Sequence, residues 1–322
     1  MNNVLITSGG RRVSLVKAFK KELKAIFPQG KVFVADFNPS LSPAAQVADN
    51  FIKICKVDDD DYAECLLKVC LEKNIKLVIP TIDTELLILS KNKEKFLNHN
   101  ITIVISDKGL IKSCNNKIKT HSLFRDLNIS VAEEYSKQDY KLPMFVKPLK
   151  GSGSNNNFII RKESQISKHL LNKKSLRFFE YFDKAIYDEY TCDLYYDVNS
   201  NLKCVIPRKR IETRAGEVSK GVTKRNLLKT YIDKNLSLLK GAIGCITIQF
   251  FLHKATNEIK GIEINPRFGG GFPLSYLAGG NYPKWIIQEF MLNEKIEYFD
   301  GWEDNLLMLR YDDEVLIKNY EN

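Results

Sequence analysis

Apolar and polar positions alternate with a period of two along residues 244–251 (Gly-Cys-Ile-Thr-Ile-Gln-Phe-Phe) and again along residues 258–267 (Glu-Ile-Lys-Gly-Ile-Glu-Ile-Asn-Pro-Arg). That period sends successive side chains to opposite faces of a strand, and the polar residues 253–257 between the runs read as a turn, so the pattern predicts a β-hairpin. Ile246, Ile248 and Phe250 fall on one face and Thr247 and Gln249 on the other, while on the second arm Ile262 and Ile264 oppose Glu263 and Asn265. Pairing the arms brings Gln249, Glu263 and Asn265 to a common face, with Arg267 continuing the parity. Pro266 removes a backbone donor and stops the strand, and Gly269, Gly270 and Gly271 let the chain leave it.

Upstream, short apolar runs at residues 4–7, 31–35, 75–80 and 101–106 predict strands. The spacing of Val13, Val16, Ala18, Phe19 and Leu23, and a second stretch at 59–73, predict helices between them. Strand, glycine turn (residues 8–12, Ser-Gly-Gly-Arg-Arg) and helix open a doubly wound parallel α/β unit, whose ligands sit at the carboxyl ends of strands, here at Asp36, Asn38, Asp83 and Glu85. Each of these four is equally a turn former or a helix cap. The turn lacks the G-x-G-x-x-G spacing of a dinucleotide site, and Arg11 or Arg12 either binds a substrate anion or lies in solvent.

Residues 108–128 read as a helix carrying Lys117, residues 143–148 as a strand carrying Lys147, and residues 150–157 (Lys-Gly-Ser-Gly-Ser-Asn-Asn-Asn) as a loop before a further strand at 158–161. Aromatic residues 177–182 can wall a flat ring, residues 186–197 alternate like a strand, and residues 205–220 gather Arg208, Lys209, Arg210, Arg214 and Lys220 around one bend. Helices are expected at 226–242 and, interrupted by Gly279-Gly280 and Pro283, at 273–292. The fold class is therefore α/β and α+β: a Rossmann-like parallel domain over residues 1–108, then a mixed region over 109–322.

With 44% apolar and 27% charged residues in 322, the chain carries enough core for two or three subdomains and is not disordered. The net charge of +10 comes from lysines scattered along the length, not interleaved with aromatics, so anionic small molecules are expected as partners and nucleic acid is not. Seven irregularly spaced cysteines form no CxxC pair, which fits reduced, mostly apolar positions of a cytoplasmic protein with neither disulfides nor zinc. No secretory leader or membrane span is expected.

One carboxylate and two amide oxygens on a sheet face suit a hard cation, Mg²⁺ or Mn²⁺, although a solvated face with a glycine exit gives the same pattern. A loop between two strands, with Lys147 on its floor, can lay donors over phosphates; a mobile hairpin tip is the alternative. The basic bend lines an anionic site or is solvated.

In chain order, Lys117, Lys147 with its Gly/Ser loop, Glu180-Tyr181-Phe182, Glu189, Arg210, Gln249 and the Glu263-Ile-Asn-Pro-Arg267 motif resemble the ATP-grasp superfamily. The likeness is greatest to the ATP-grasp half of the carbamoyl-phosphate synthetase large subunit and its stand-alone relatives, with biotin carboxylase more distant, and it covers nearly the whole chain. Glu-x-Asn-Pro-Arg after a glutamine-bearing strand is its most specific motif. The resemblance implies a two-lobed ATP-grasp fold over residues 109–322, with a small nucleotide-covering lobe at 109–181 and a large lobe with the metal site at 182–322.

It further implies that Lys117 and Lys147 touch ATP phosphates beneath a loop that includes Gly151, Ser152, Gly153 and Ser154. Glu180, Tyr181 and Phe182 would form the hinge against adenine, and Glu189 would accept from the ribose. Gln249, Glu263 and Asn265 would be the metal ligands, with Arg267, Lys147 and Arg210 as the catalytic residues. Asn155 and Asn156 replace a basic residue and a glycine of many relatives; asparagine tolerates left-handed dihedrals, so the loop fold survives. The implied reaction activates a carboxylate as an acyl phosphate for attack by an amine. The alternatives are activation of bicarbonate or carbamate, and a non-catalytic ATP sensor. Small-molecule acid and amine partners follow, and relatives often form homodimers.

Overall fold

The computed structural model describes residues 2–136, 138–149, 157–214, 216–318 and 320. The first 103 residues build a parallel sheet of five strands, β1 (Asn3–Thr7), β2 (Val32–Asp36), β3 (Asn50–Lys53), β4 (Ile75–Ile79) and β5 (Thr102–Ile103), in the order β3-β2-β1-β4-β5. All five residues of β1 are buried, as a central strand covered on both faces requires. Helices α1 (Val13–Ile26), α2 (Pro43–Val47), α3 (Tyr62–Glu72) and α4 (Asp83–Leu97) connect the strands. The edge strand β3 (Asn-Phe-Ile-Lys) escapes the sequence pattern because three of its four residues are exposed and no alternation marks it.

The expected helix at 108–128 is two helices, α5 (Lys108–Cys114) and α6 (Lys117–Asp126). Asn116 adopts an extended conformation, and its side chain accepts from the Ile118 and Lys119 amides at 3.1 and 3.2 Å, capping a new helix whose first residue is Lys117.

A four-stranded antiparallel sheet follows, formed by β6 (Glu134–Tyr135), β7 (Met144–Pro148), β8 (Phe158–Ile160) and β9 (Leu176–Glu180) in the order β6-β9-β7-β8, with α7 (Lys168–Asn172) before β9. The largest sheet is antiparallel and six-stranded: β10 (Tyr187–Tyr196), β11 (Leu202–Arg214), β12 (Glu217–Thr223), β13 (Gly244–His253), β14 (Ile259–Asn265) and β15 (Leu307–Leu309), in the order β14-β13-β10-β11-β12-β15. The expected hairpin is β13–β14, and its turn closes with the His253 amide on the Glu258 carbonyl at 2.8 Å. The short edge strand β15 was not anticipated; two of its three residues are exposed.

Helix α8 (Leu227–Asn235) stops seven residues before the expected end, because Ser237 and Leu238 pair instead with the turn at Asn201 and Leu202. The glycines and Pro283 divide the next helical stretch into α9 (Phe272–Leu277) and α10 (Tyr282–Leu292).

One face of the large sheet, through Tyr190, Cys192, Leu194, Val205, Ile246, Ile248 and Phe250, packs with Phe124 of α6 and with Leu228 and Ile232 of α8. At the far end of the opposite face, Tyr195, Cys204, Ile206 and Cys245 join a core shared with Val4, Phe19 and Val34 of the parallel layer. Phe19 meets Phe268 edge-on at 5.9 Å, and the Tyr276 hydroxyl donates to Glu22 at 2.7 Å. This shared core joins the parallel layer to the large sheet. Among the described residues no helix is long and apolar enough to cross a membrane, and all seven cysteines are free, five of them buried.

Candidate active site

The strand registers assemble one polar face across four strands of the large sheet. Thr191 of β10 lies opposite both Arg208 of β11 and Gln249 of β13; Asp193 lies opposite Thr247; and Gln249 and Thr247 face Glu263 and Asn265 of β14. Alternation on these strands puts core residues behind and functional groups in front. The face forms the floor of a cleft of about 580 Å³, whose roof is the small sheet and α6 and which Arg12, in the turn before α1, enters from the parallel layer.

Glu263 is the hub of the floor. Its Oε1 accepts from Gln249 Nε2 and from Asn265 Nδ2, each at 2.9 Å, and its Oε2 lies 3.6 Å from the Lys117 ammonium. Burial alone would raise its pKa, but Lys117, the Asn265 amide, Lys147 and Arg267 outweigh burial and hold the carboxyl below its ordinary range. Gln249, Glu263 and Asn265 thus converge as the alternation predicts. A half-turn of each terminal amide, a soft torsion, exchanges nitrogen for oxygen and presents one carboxylate and two carbonyl oxygens to a hard cation. Among the described residues no three His, Cys, Asp or Glu side chains cluster. The donor set fits a Mg²⁺ that completes its shell with phosphate and water.

Lys147 comes down from β7 in the opposite wall. Strand alternation sends Met144 and Val146 into the core of the four-stranded sheet and turns Phe145 and Lys147 to the cleft. The Lys147 ammonium sits 4.6 Å from the ring centroid of Phe179. Burial, with Lys117 as a second repulsive contribution and Glu263 opposing, pushes its pKa down to about 8. Lys117 reaches the same space from the first turn of α6.

Phe182 is buried against Phe251 at 4.9 Å and Tyr187 at 5.0 Å, and together with Phe179 and Ala132 it gives one end of the cleft an apolar, ring-sized slot. Glu180 and Tyr181 border that slot; Glu180 accepts from the Glu133 amide at 3.2 Å, and Tyr181 stacks under Arg161 at 5.2 Å. Glu189 lines the cleft and pairs with Arg210 at 3.2 Å, while Arg210 also donates to the Gly216 carbonyl at 3.0 Å. Gly151, Ser152, Gly153 and Ser154, with Asn155 and Asn156, lie outside the described residues; Asn157 lines the cleft.

The basic bend at 205–220 is a β11–β12 hairpin, and its charges divide. Lys209 pairs with Asp188, Lys220 with Glu212 and Arg214 with Asp312, away from the cleft; only Arg208 and Arg210 line it. Arg208 is fully buried on Asp193, its Nε and Nη2 donating at 2.8 and 3.0 Å. A run of basic residues on a strand alternates faces like any other, and the partners come from other segments of the chain, so the one-dimensional cluster disperses.

Arg267 makes a bidentate pair with Asp83 at the start of α4, at 3.1 and 2.7 Å, so Asp83 joins the site by orienting an arginine. Glu85 instead is fully buried, accepting from Ser8, Tyr62 and the Thr81 and Ile82 amides; burial pushes its pKa up, and its role is to build the β4–α4 turn. Asp36 likewise accepts from the Gly10 amide at 3.1 Å. Of the two early arginines, Arg12 enters the cleft and Arg11 is exposed.

Sequence reasoning passed over His121. It lies one helical turn beyond Lys117 on the same face of α6, buried, its ring 5.0 Å from Phe179, with Nδ1 lacking a hydrogen-bond partner among the described residues. Burial and the charges of Lys147, Arg125 and Lys117 lower its pKa to about 4, so it lines the cleft as a neutral imidazole. The i, i+4 spacing from Lys117 was the available signal.

Residues 4–104 match the family described as PylC-like, N-terminal domain, and residues 180–308 match ATP-grasp in the biosynthetic pathway with Ter operon. No curated protein matches the chain. Similar solved structures include the biotin carboxylase domain of the Hydrogenobacter thermophilus 2-oxoglutarate carboxylase in complex with MgADP, ADP and bicarbonate, with a TM-score of 0.71 at 15% identity over 94% of this chain and 73% of that one. The Staphylococcus aureus N5-carboxyaminoimidazole synthetase complexed with ADP gives 0.69 at 18% identity over 96% and 80%, and the Bacillus licheniformis L-amino acid ligase 0.65 at 16% over 90% and 74%. At these identities the likeness is one of fold. It agrees with the order of the three sheets and with the two family matches: residues 4–104 form a PylC-like N-terminal domain and residues 180–308 belong to an ATP-grasp domain.

Proposed function

We propose that the protein is an ATP- and Mg²⁺-dependent ligase that activates a carboxylate as an acyl phosphate and joins it to an amine as an amide. The observation that carries this reading is the meeting, in one cleft between two lobes, of Lys117 and Lys147 from the roof with Gln249, Glu263 and Asn265 from the floor. Adenine would occupy the slot of Phe179 and Phe182, the ribose hydroxyls would donate to Glu189, and the triphosphate would run towards Glu263.

In the first half-reaction a carboxylate oxygen bonds to the γ-phosphorus and the bond to the β-bridging oxygen breaks, releasing ADP. In the second, the amine nitrogen bonds to the acyl carbon, inorganic phosphate leaves, and the nitrogen loses a proton. Phosphoryl transfer asks a protein chiefly for placement and for neutralisation of oxygens. Lys117 and Lys147 supply point charges on the phosphates. Arg267, held by Asp83 and within hydrogen-bond distance of Asn265, would meet the carboxylate and the transferred group. A divalent ion held by Gln249, Glu263 and Asn265 would supply charge neutralisation between phosphate oxygens. The Gly/Ser loop at 150–157 would exclude water from the acyl phosphate.

The test is a screen of amino acids and small carboxylates, with amines, for stimulated phosphate release in MgATP. Stimulation that requires both an organic acid and an amine is expected. Stimulation by bicarbonate alone would reassign the acid, and ATP binding without release under every mixture would refute a ligase.

A further inference from the structure

Past Arg267, on the side away from the two lysines, the cleft continues into a corner formed by Arg12 before α1, Arg208 on β11, Glu217 on β12 and the segment Gly269, Gly270 and Gly271. The charges in this corner do not cancel. Arg208 is paired with Asp193, Arg267 with Asp83, and Arg310 with Glu217 at 3.3 Å. Arg12 donates to the Thr81 carbonyl at 2.9 Å and has no carboxylate within salt-bridge distance among the described residues. The remaining acid nearby, Glu85, is committed to four hydrogen bonds in the β4–α4 turn. One guanidinium is therefore in excess.

A second, independent sign lies in Arg208. The side chain is 1% exposed, and although Nε and Nη2 are bound to Asp193, Nη1 has no hydrogen-bond partner among the described residues. That nitrogen lies against Gly271, where a Cβ would come within 2.3 Å of it, and a Cβ on Gly270 would meet the Glu217 carboxylate at 2.6–2.7 Å. Only glycine fits this backbone against the arginine and Glu217. A buried donor left without an acceptor is costly, more so when charged, and an anion in the corner removes that cost.

We propose that this corner is a subsite for an oxyanion that takes no part in the reaction, a carboxylate or phosphate group at the far end of the acid substrate, held by Arg12 and by Arg208 Nη1 over the glycine segment. The inference rests on the ligase reading for which end of the molecule reacts. The substrate class follows: acids with two anionic groups, one activated beside Glu263 and Arg267, the other retained in the product.

Binding to the MgADP complex, read by calorimetry, tests this without requiring turnover. The probes are succinate and glutarate as dicarboxylates, 3-phosphoglycerate as the phosphate-bearing acid, and butyrate as the monoanionic control. Wild-type protein is expected to bind at least one dianion more than tenfold tighter than butyrate; which arm binds names the group. In Arg12→Met that preference is expected to shrink below threefold, and in Arg12→Lys, which keeps charge but loses the fork, to be intermediate. Butyrate binding as tightly as every dianion, absence of binding by all dianions, or a preference unchanged in Arg12→Met would overturn the proposal. The wild-type comparison needs no variant to fold. Dianion binding with no phosphate release in any mixture would refute the ligase and leave the subsite standing; release stimulated equally by butyrate and the dianions would do the reverse.

Discussion

Replacing Glu263 with glutamine removes one negative charge and almost nothing else. The amide keeps an oxygen where Oε1 now accepts from Gln249 and Asn265 at 2.9 Å, so the local hydrogen bonds and the fold are expected to persist. What is lost is the only carboxylate of the proposed cation site and the counter-charge of Lys117 at 3.6 Å. Two unit charges about 4 Å apart at an effective dielectric of about 20 interact by about 4 kcal/mol, and a dication in contact with a carboxylate gains at least that. A loss of about 4 kcal/mol corresponds to about three powers of ten in rate. Glu263→Gln is therefore expected to lower kcat/KM for MgATP by about a thousandfold, measured as ADP release across a Mg²⁺ titration, with a thermal unfolding midpoint near wild type. A kcat/KM within threefold of wild type, in a folded variant at every Mg²⁺ concentration, would refute the reasoning.

Two other consequences can be measured directly. Asp193, with no exposed surface, accepts from Arg208 twice, from Thr247 at 3.1 Å and from Ser275 at 2.6 Å; Asp193→Ala strands a buried guanidinium and is expected to cost about 3–5 kcal/mol in chemical denaturation, whereas a loss under 1 kcal/mol would contradict a buried pair. Lys147, at about 8 instead of its ordinary 10.5, loses its charge in the free protein as pH rises through 8; phosphate binding favours the charged form, so ATP affinity is expected to fall above pH 8 with proton uptake, seen by calorimetry in buffers of different ionisation enthalpy. Because the unfolded chain keeps that proton up to about 10.5, the same group makes the free protein gain stability between those values, and a flat profile in Lys147→Met is the matching control.

How much was legible follows from where the information lies. The common facing of Gln249, Glu263 and Asn265 on the β13–β14 hairpin could be read because both arms alternate and the turn between them is polar; the strand ends at His253 and Asn265, and the bulge between Gln249 and Phe250 that brings Ile262 to the cleft, lay outside that pattern. The parallel layer was legible for the same reason in its buried strands and failed at β3, whose exposed edge carries no pattern. Lys117 looked like any lysine within a helix until the Asn116 cap split that helix and set the lysine on its first turn. The Arg208–Asp193 pair joins neighbouring strands, and the Arg267–Asp83 pair joins opposite ends of the chain. The first contact depends on strand register and the second on docking between layers, neither of which composition and period encode, so the sequence could offer the arginines as candidates and not assign their partners. His121 stayed hidden because a lone histidine on an apolar helix face is most simply core.

The claim on which the account rests is that Gln249, Glu263 and Asn265 hold the divalent ion beneath the nucleotide phosphates. Crystals grown with Mn²⁺ and ADP, measured for anomalous scattering, test it most directly. The account predicts a manganese peak within bonding distance of a Glu263 carboxylate oxygen and of at least one of the two amide oxygens, with an ADP phosphate completing the contact. A manganese ion bound to ADP elsewhere in the cleft, out of reach of Glu263, would contradict it.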